Sequence, residues 1–227
     1  MSRRPTKEQS LDLIKSRGIE FKTILDVGIL TGTPELIKGF PDKHHVLFEP
    51  VIEFKSAIEE AYRGISHEFI NCAISDVDGE VTLETKSVIA GVDISHSSIV
   101  DGPAASSAHR TVPMFKMDSF LADYPREGPY LLKIDIDGHE LKVIEGAHLT
   151  LQQTSIVIIE ADHAHIAERL IALQHHGFEI LDIVEPCYYD DAFWQCDIVL
   201  IKPELKRKAF KSIKENFDLN LYIPYRE

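Results

Sequence analysis

The chain has 227 residues, 44% of them hydrophobic, and a formal net charge of −13 at pH 7. This length and composition predict one globular domain with a single substantial core. The negative charge disfavours general binding to a phosphate backbone, and no apolar run is long enough for a membrane helix. We therefore expect neither a nucleic-acid nor a membrane partner. The N-terminus lacks a signal-peptide core, and the three cysteines show no C-x-x-C spacing, so a cytoplasmic protein with reduced thiols is predicted.

Segments typical of strands and helices alternate along the first third of the chain. The spacing of Thr6 and Gln9 fits a capping box and predicts a short opening helix. Strands are predicted at residues 23–28, 45–49 and 69–74. Each is a continuous apolar run, and an amphipathic helix is predicted after each of the first two, which favours a parallel sheet covered on both faces.

The alternation is interrupted after residue 79. Residues 80–85 are predicted to form one strand of a hairpin, and residues 86–110, rich in Ser, Gly and His, are interpreted as a loop. A loop of this length inside a domain is typical of a lid or a binding loop. We therefore expect its Ser- and His-rich part, residues 95–110, to cover a substrate pocket.

Alternation resumes at a predicted strand over residues 130–136, followed by one helix marked by Leu141, Ile144, His148 and Leu151. A further buried strand over residues 155–159 precedes a helix that ends at Gly177.

The last two predicted strands, 178–184 and 198–201, are too close in sequence for a crossover helix and should be antiparallel neighbours. The predicted fold class is therefore α/β, with a doubly wound, mostly parallel sheet that ends in an antiparallel hairpin. This arrangement is typical of class I methyltransferases that use S-adenosylmethionine (SAM). We expect an N-terminal helical segment (1–22), the main domain (23–203) and a C-terminal tail (204–227).

Ligands of an open parallel sheet bind beyond the carboxyl ends of its strands. The first predicted strand ends at Asp26, followed by Gly28 and Gly32. Glycine permits a tight turn and a close approach of the backbone to a ligand. Asp26 is predicted to orient this turn and to meet the amino-acid portion of SAM.

The next two strand ends supply further candidates for cofactor binding. Glu49 follows the glycine turn by about 20 residues, where a carboxylate can accept hydrogen bonds from a ribose diol. Ala73 and Ile74, at the end of the third predicted strand, are candidate contacts for an adenine ring. An ordinary strand-to-loop transition is the alternative for each of these two residues.

Several segments resemble the FkbM family of methyltransferases, and together they span most of the chain. The residues that carry the resemblance are Asp26-Val27-Gly28 with Gly32, Phe48-Glu49-Pro50, Ala73-Ile74-Ser75-Asp76 with Gly79, KIDIDGHE at 133–140, and Ile158-Ile159-Glu160. The resemblance implies SAM as the methyl donor and a hydroxyl acceptor in a sugar, polyketide or other secondary metabolite. The chain departs from the family at Ile29-Leu30, where the family usually has Ala-Asn.

Methyl transfer to a hydroxyl requires an aligned acceptor and a group that takes its proton. Asp135 ends the fourth long strand and is the first candidate for this role, with His139 in the following turn. His96 or His109, from the Ser- and His-rich stretch, is the alternative base.

Neighbouring acidic strand ends are also compatible with a divalent cation such as Mg²⁺, which prefers oxygen ligands. The candidate ligands are Asp135, Glu160 and Asp162, with His163 as an alternative to Asp162. The simpler interpretation is that Lys133 neutralises one of the carboxylates.

Three other classes of protein remain open from the residues alone. A dinucleotide-dependent oxidoreductase shares the glycine turn and Glu49, but lacks the full G-x-G-x-x-G pattern here and fits the terminal hairpin poorly. A metal-dependent hydrolase would use the clusters at Asp135 and Glu160. A non-catalytic protein that retains the fold is favoured by the departure at Ile29-Leu30.

Overall fold

The computed structural model describes residues 3–86, 94, 96–100, 109–215 and 217–224. Within these residues the chain forms helices and strands in this order: α1 (Lys7–Ser16), β1 (Thr23–Val27), α2 (Pro34–Gly39), β2 (His44–Phe48), α3 (Lys55–Ala61), β3 (His67–Ile70), β4 (Ala73–Ser75), β5 (Gly79–Lys86), β6 (His96–Val100), β7 (His109–Lys116), α4 (Met117–Asp123), β8 (Tyr130–Ile134), α5 (Glu140–Glu145), α6 (His148–Gln152), β9 (Thr154–Asp162), α7 (Ile166–His175), β10 (Glu179–Tyr189), β11 (Ala192–Ile201) and α8 (Pro203–Ala209). Single 3₁₀ turns lie at Ile52–Phe54 and Leu219–Leu221.

The larger sheet of the described residues has seven strands in the order β10-β11-β9-β8-β1-β2-β3. Strand β1 pairs in parallel with β2 and β8, and β9 pairs in parallel with β8. Strand β11 runs antiparallel to both β9 and β10. The predicted fold class is confirmed. Because the strand order reverses between β1 and β8, their carboxyl ends flank the crevice where such sheets bind ligands.

The central strand β1 is buried on both faces, which explains its continuous apolar sequence. Leu25 and Val27 pack into a core cluster that includes Met117 of α4, whereas Ile24 packs into a second cluster with Ile14 of α1. Burial of such side chains stabilises the fold by about 1.5–3 kcal/mol each.

The terminal hairpin is longer than the sequence predicted. The first of its strands was predicted to end at residue 184, but β10 continues through Pro186 to Tyr189. It is an edge strand, where proline is tolerated. The two strands continue to a tight turn at Asp190 and Asp191, which have φ values of 49° and 60°. Asp tolerates this left-handed conformation, as tight hairpin turns require.

A second sheet corrects two expectations for residues 69–110. The predicted strand at 69–74 is two strands, because the chain turns after Ile70 and β4 joins a four-stranded sheet in the order β4-β7-β5-β6. The predicted loop at 86–110 contains strand β6 and the start of β7. Residues 87–93, 95 and 101–108 of the expected lid lie outside the described residues.

The helix predicted to follow β8 is also divided. It forms α5 and α6, which are separated by Gly146 and Ala147. A Cβ atom on Gly146 would lie 1.9 Å from the backbone oxygen of Ser75, so only glycine permits this contact with β4.

Helices α1 and α8 pack on the second core cluster. Leu11 and Ile14 of α1 belong to the same cluster as Ile24, and Leu205 and Ala209 of α8 pack against it. The predicted N-terminal segment and the start of the predicted tail therefore share an apolar core cluster with the main domain. None of the described helices is long and apolar enough to cross a membrane.

Candidate functional site

A cleft of about 450 Å³ opens at the carboxyl ends of the parallel strands. Its size falls in the range of small-molecule sites in proteins. Its wall contains backbone from the β1–α2 loop and side chains from α1, β8, β9 and β11, besides Glu49 and Phe54. The charged and polar side chains in the wall include Lys7, Glu49, Lys133, Asp135, Glu160 and Gln195.

The β1–α2 loop depends on residues in unusual backbone conformations. Gly28 has a φ of 79°, and a Cβ at this position would lie 2.0 Å from the backbone oxygen of Asp135. Gly32 has a φ of 141°, a conformation that L-residues rarely adopt. Leu30, between them, also has a positive φ of 54°. The loop therefore approaches β8 as closely as the backbone allows.

A buried charge cluster lies beneath this loop. Lys133 Nζ is 3.2 Å from Asp26 Oδ1 and 3.2 Å from Asp135 Oδ2, and it donates to the backbone oxygen of Gly28. Asp26 also accepts a hydrogen bond of 2.7 Å from the Thr33 hydroxyl. Burial alone would lower the pKa of Lys133, but the carboxylates of Asp26 and Asp135 raise it, so the side chain stays cationic.

Asp26 is fully buried and does not line the cleft. It therefore reaches a ligand only through Lys133 and the loop that it holds. The predicted role in orienting the turn matches its contacts, whereas a direct contact with a ligand does not.

Glu49 lies buried in the wall of the cleft, just after β2. Its Oε2 accepts a hydrogen bond of 2.9 Å from the N–H of Leu30, and its Oε1 accepts one of 2.9 Å from the N–H of Val51. Burial raises the pKa of Glu49 to about 7, although these two donors oppose the shift. Each carboxylate oxygen has a second lone pair, so the group can accept further hydrogen bonds from a ligand.

A narrow, largely apolar recess adjoins the cleft and shares Gly28, Pro50, Ile136 and Asp137 with it. The other residues that line it include Val27, Phe48, Cys72, Ala73, Ile74, Leu83 and His139. Ala73 and Ile74 thus lie together as predicted, beside the end of β2 that bears Glu49. The recess presents a mainly apolar surface next to that carboxylate.

Asp135 and Glu160 line the far side of the cleft, and Asp197 continues this row of acidic side chains beyond the lining. Glu160 of β9 is paired directly with Asp197 of β11, and the register of β8 with β9 places Asp135 level with Glu160. Lys7 Nζ lies 3.1 Å from Asp197 Oδ2, and Gln195 Nε2 donates to Glu160 Oε1. Burial, followed by the charges of Asp135 and Asp197, raises the pKa of Glu160 to about 7.

The sequence of the chain matches the family model of the methyltransferase FkbM domain over residues 26–180. The chain belongs to the FkbM methyltransferase family. Among curated protein sequences, none matches this chain.

Solved structures agree on the fold. An FkbM methyltransferase from Methylobacillus flagellatus KT is similar with a TM-score of 0.50 at 15% identity, over 78% of this chain and 43% of that protein. An rRNA methylase from Streptococcus thermophilus gives a TM-score of 0.51 at 13% identity, over 89% of this chain and 98% of that protein. This chain thus spans less than half the length of the FkbM relative. At these identities the likeness concerns the class I methyltransferase fold and not the substrate.

The FkbM motif of residues 133–140 contributes to both sides of the site. Lys133 and Asp135 line the cleft, whereas His139 points to the recess, where its Nε2 lies 2.9 Å from Ser75 Oγ. Burial lowers the pKa of His139. Glu140 is buried and paired with Arg169 at 2.6 Å. His139 is therefore separated from Asp135, with which the sequence grouped it.

The suggested metal site is not supported. Within the described ranges, no group of three or more His, Cys, Asp or Glu side chains could hold a metal ion. Asp162 instead pairs with His165, 2.9 Å away, and with Arg169, 3.2 Å away. The ring of His163 is tilted against that of Trp194, with 5.2 Å between their centroids. Because Asp162 is occupied in this way, it does not join Asp135 and Glu160.

The two candidate histidines from the Ser- and His-rich stretch fall in the second sheet. His109 on β7 lies 3.5 Å from Glu84. His96 begins β6 by its backbone, but its side chain lies outside the described part of the structure.

Four residues of the site were missed by the sequence interpretation: Lys7, Thr33, Gln195 and Asp197. Lys7 and Asp197 come from opposite ends of the chain, and Gln195 lies in a segment interpreted as a connection. All except Thr33 lie outside the family match. Thr33 is the N-cap residue of α2, but its hydroxyl donates to Asp26 and caps no backbone N–H of the helix.

Proposed function

We propose that the chain binds SAM in the cleft and transfers its methyl group to a hydroxyl of a small molecule, such as a carbohydrate or secondary metabolite. The main observation in support is Glu49, a buried carboxylate at the junction of the apolar recess and the polar cleft. A nucleoside presents an apolar base next to a diol, which is the pattern that this junction can accept.

The other groups that line the cleft and the recess are chemically compatible with the remaining parts of SAM. The recess with Ala73 and Ile74 suits the adenine ring. Gly28 and Gly32 shape the loop beside Glu49, and Lys133 supplies a buried cation beneath it. The acidic far side of the cleft suits a methyl donor that carries a positive sulfonium.

When bound, SAM supplies a methyl group that needs little covalent help from the protein. The residues of the chain must align the acceptor, exclude water and take the hydroxyl proton. Asp135 is held at the cleft wall by Lys133, which fixes its orientation. We assign to Asp135 a place beside the transferred methyl. His139 supports the adenine side through Ser75, and His96 remains a prediction from the sequence.

The acceptor is proposed to be small and neutral. Acidic side chains dominate the far side of the cleft, so a phosphate-bearing acceptor would be repelled. An alcohol has no such charge and requires only a base and an aligned approach.

Calorimetric titration with SAM and S-adenosylhomocysteine (SAH) tests the cofactor. We expect saturable binding of both ligands, and a Glu49→Ala variant should bind at least about tenfold more weakly through lost hydrogen bonds to a charged group. Glu168→Ala, which removes an exposed carboxylate of α7, is the control and should bind as the unchanged chain does.

A screen of sugars and other polyols with methyl-labelled SAM then tests the acceptor. Label transferred to an oxygen of a neutral polyol would support the proposal. The absence of SAM and SAH binding would reject it and favour the non-catalytic alternative. Label transferred only to RNA would reject the small-molecule acceptor.

A further inference from the structure

The three carboxylates on the far side of the cleft differ in their charge partners. Asp135 has the ammonium of Lys133 at 3.2 Å, and Asp197 has that of Lys7 at 3.1 Å. Glu160, between them, receives a hydrogen bond from the neutral amide of Gln195. Within the described part of the chain, no cationic side chain forms an ion pair with Glu160.

This difference affects what each group can do with a proton. Burial raises the pKa of Asp197, but the ammonium of Lys7 opposes this shift. Glu160 has no such cation and lies between two negative neighbours. Its proton affinity is correspondingly higher, and burial raises its pKa to about 7. A general base is most effective when its pKa lies near the working pH.

Glu160 is also held in place. Gln195 binds one carboxylate oxygen, and Arg169 Nη1 donates to the backbone oxygen of the same residue at 3.0 Å. The side chain lines the cleft, so it can touch an acceptor. The charged groups near it are Lys7 of α1, Lys133 of β8, Asp135 and Asp137 after β8, Glu140 of α5, Arg169 of α7 and Asp197 of β11.

From this arrangement we infer that Glu160 is the general base that removes the acceptor's proton, with Gln195 as the residue that positions it. The inference rests on the proposed function. As the acceptor oxygen bonds to the methyl carbon, the carbon–sulfur bond breaks, its electron pair stays on sulfur, and the hydroxyl proton passes to a Glu160 oxygen. Asp135, compensated by Lys133, then acts as a fixed negative charge beside the reaction.

The assignment gives the two ends of the chain a part in the reaction. Gln195 and Asp197 on β11, and Lys7 on α1, lie outside the matched family segment of residues 26–180. Lys7 forms an ion pair with Asp197, so the carboxylate next to Glu160 on this side is not left unpaired. These residues are therefore candidates for determining which acceptors this member of the family uses.

An experiment without any acceptor can test where Glu160 lies. Sinefungin is a SAM analogue that carries an amine in place of the methylated sulfonium, whereas SAH has a neutral sulfur. We expect the chain to bind sinefungin more tightly than SAH, because the amine meets the Glu160 carboxylate. Glu160→Gln should reduce this preference about tenfold or more while SAH affinity stays within about threefold. SAH binding also confirms that the variant is folded.

The pH dependence separates Glu160 from the other carboxylates. The ratio of sinefungin to SAH affinity should rise from about pH 6 to about pH 8 as Glu160 loses its proton, and be flat in Glu160→Gln. Protonation of Glu49 affects both ligands equally and cancels in the ratio. Glu168→Gln, on the exposed face of α7, should retain both the preference and its pH dependence.

The acceptor found in the hydroxyl screen gives the kinetic test. Glu160→Gln should lower kcat by about 10²- to 10⁴-fold with little change in the KM for SAM, as expected for loss of a general base. The inference is overturned if Asp135→Asn abolishes the sinefungin preference while Glu160→Gln keeps it, or if Glu160→Gln retains full kcat. Failure of the chain to bind SAH or sinefungin at all would instead reject the proposed function on which the inference rests.

Discussion

The buried lysine beneath the β1–α2 loop gives the sharpest prediction about stability. Lys133→Met keeps the length of the side chain and removes its charge. Asp26 would then remain fully buried with the Thr33 hydroxyl as its neutral partner. At 3.2 Å, the Lys133–Asp26 pair has a Coulomb energy of about 5 kcal/mol with an effective dielectric constant of about 20. Removing one partner of a buried pair typically costs about 3–5 kcal/mol, so we expect a loss in this range.

Urea unfolding followed by far-ultraviolet circular dichroism measures this loss. Lys142→Met is a matched control, because Lys142 also lies between two carboxylates, at 3.0 and 2.9 Å, but in solvent. That variant should be as stable as the unchanged chain. Adding Asp26→Asn to Lys133→Met should recover part of the stability, since it removes the uncompensated charge. A loss below about 1 kcal/mol for Lys133→Met would refute the argument that the pair holds the loop.

Three further predictions concern the loop and the carboxylate beneath it. Gly28→Ala should destabilise the chain by about 3–5 kcal/mol in urea unfolding. Gly64 has a similar φ of 82° but open space around it, so Gly64→Ala should cost only about 1–2 kcal/mol. Equal losses of stability in the two variants would disprove the steric argument. Because the pKa of Glu49 is raised to about 7, SAH affinity should increase about tenfold between about pH 6 and about pH 8 as the carboxylate ionises, and calorimetry of Glu49→Gln should show no such change. Leu30→Asn should raise the free energy of unfolding by about 0.5–1 kcal/mol, because Asn tolerates a positive φ. The control Leu149→Asn, in helix α6, should bring no such gain. Destabilisation by Leu30→Asn would contradict the prediction.

The fold was predictable because its signals are local. Continuous apolar strands, alternating with helices, indicate a covered parallel sheet, and the short interval between the last two strands indicates a hairpin. The errors arise where tertiary contacts override local signals. Pro186 ends a strand by local rules, but β10 is at the sheet edge and continues. Gly146 divides a helical pattern because its backbone contacts Ser75, more than seventy residues earlier in the chain.

The site was predictable only where it follows the strand ends. Glu49, Gly28, Asp135 and Glu160 all line the cleft, because the carboxyl ends of parallel strands meet at one edge of a sheet. Ion pairs between residues distant in sequence were missed, because a single sequence contains no signal that Lys7 pairs with Asp197. His139 was grouped with Asp135 because the two are close in sequence, but a turn directs the ring of His139 to the other side of the loop.

The departure from the family pattern at Ile29 and Leu30 has a structural explanation. Ile29 is buried in an apolar cluster with Leu47 and Tyr62, so a larger apolar residue is accommodated there. Leu30 adopts a positive φ, and its N–H, not its side chain, holds the carboxylate of Glu49. Any residue except proline supplies that N–H, while asparagine also adopts the left-handed backbone at lower cost. A backbone preference can therefore account for the asparagine usual at this position in the family, and the leucine in this chain leaves the hydrogen bond to Glu49 intact.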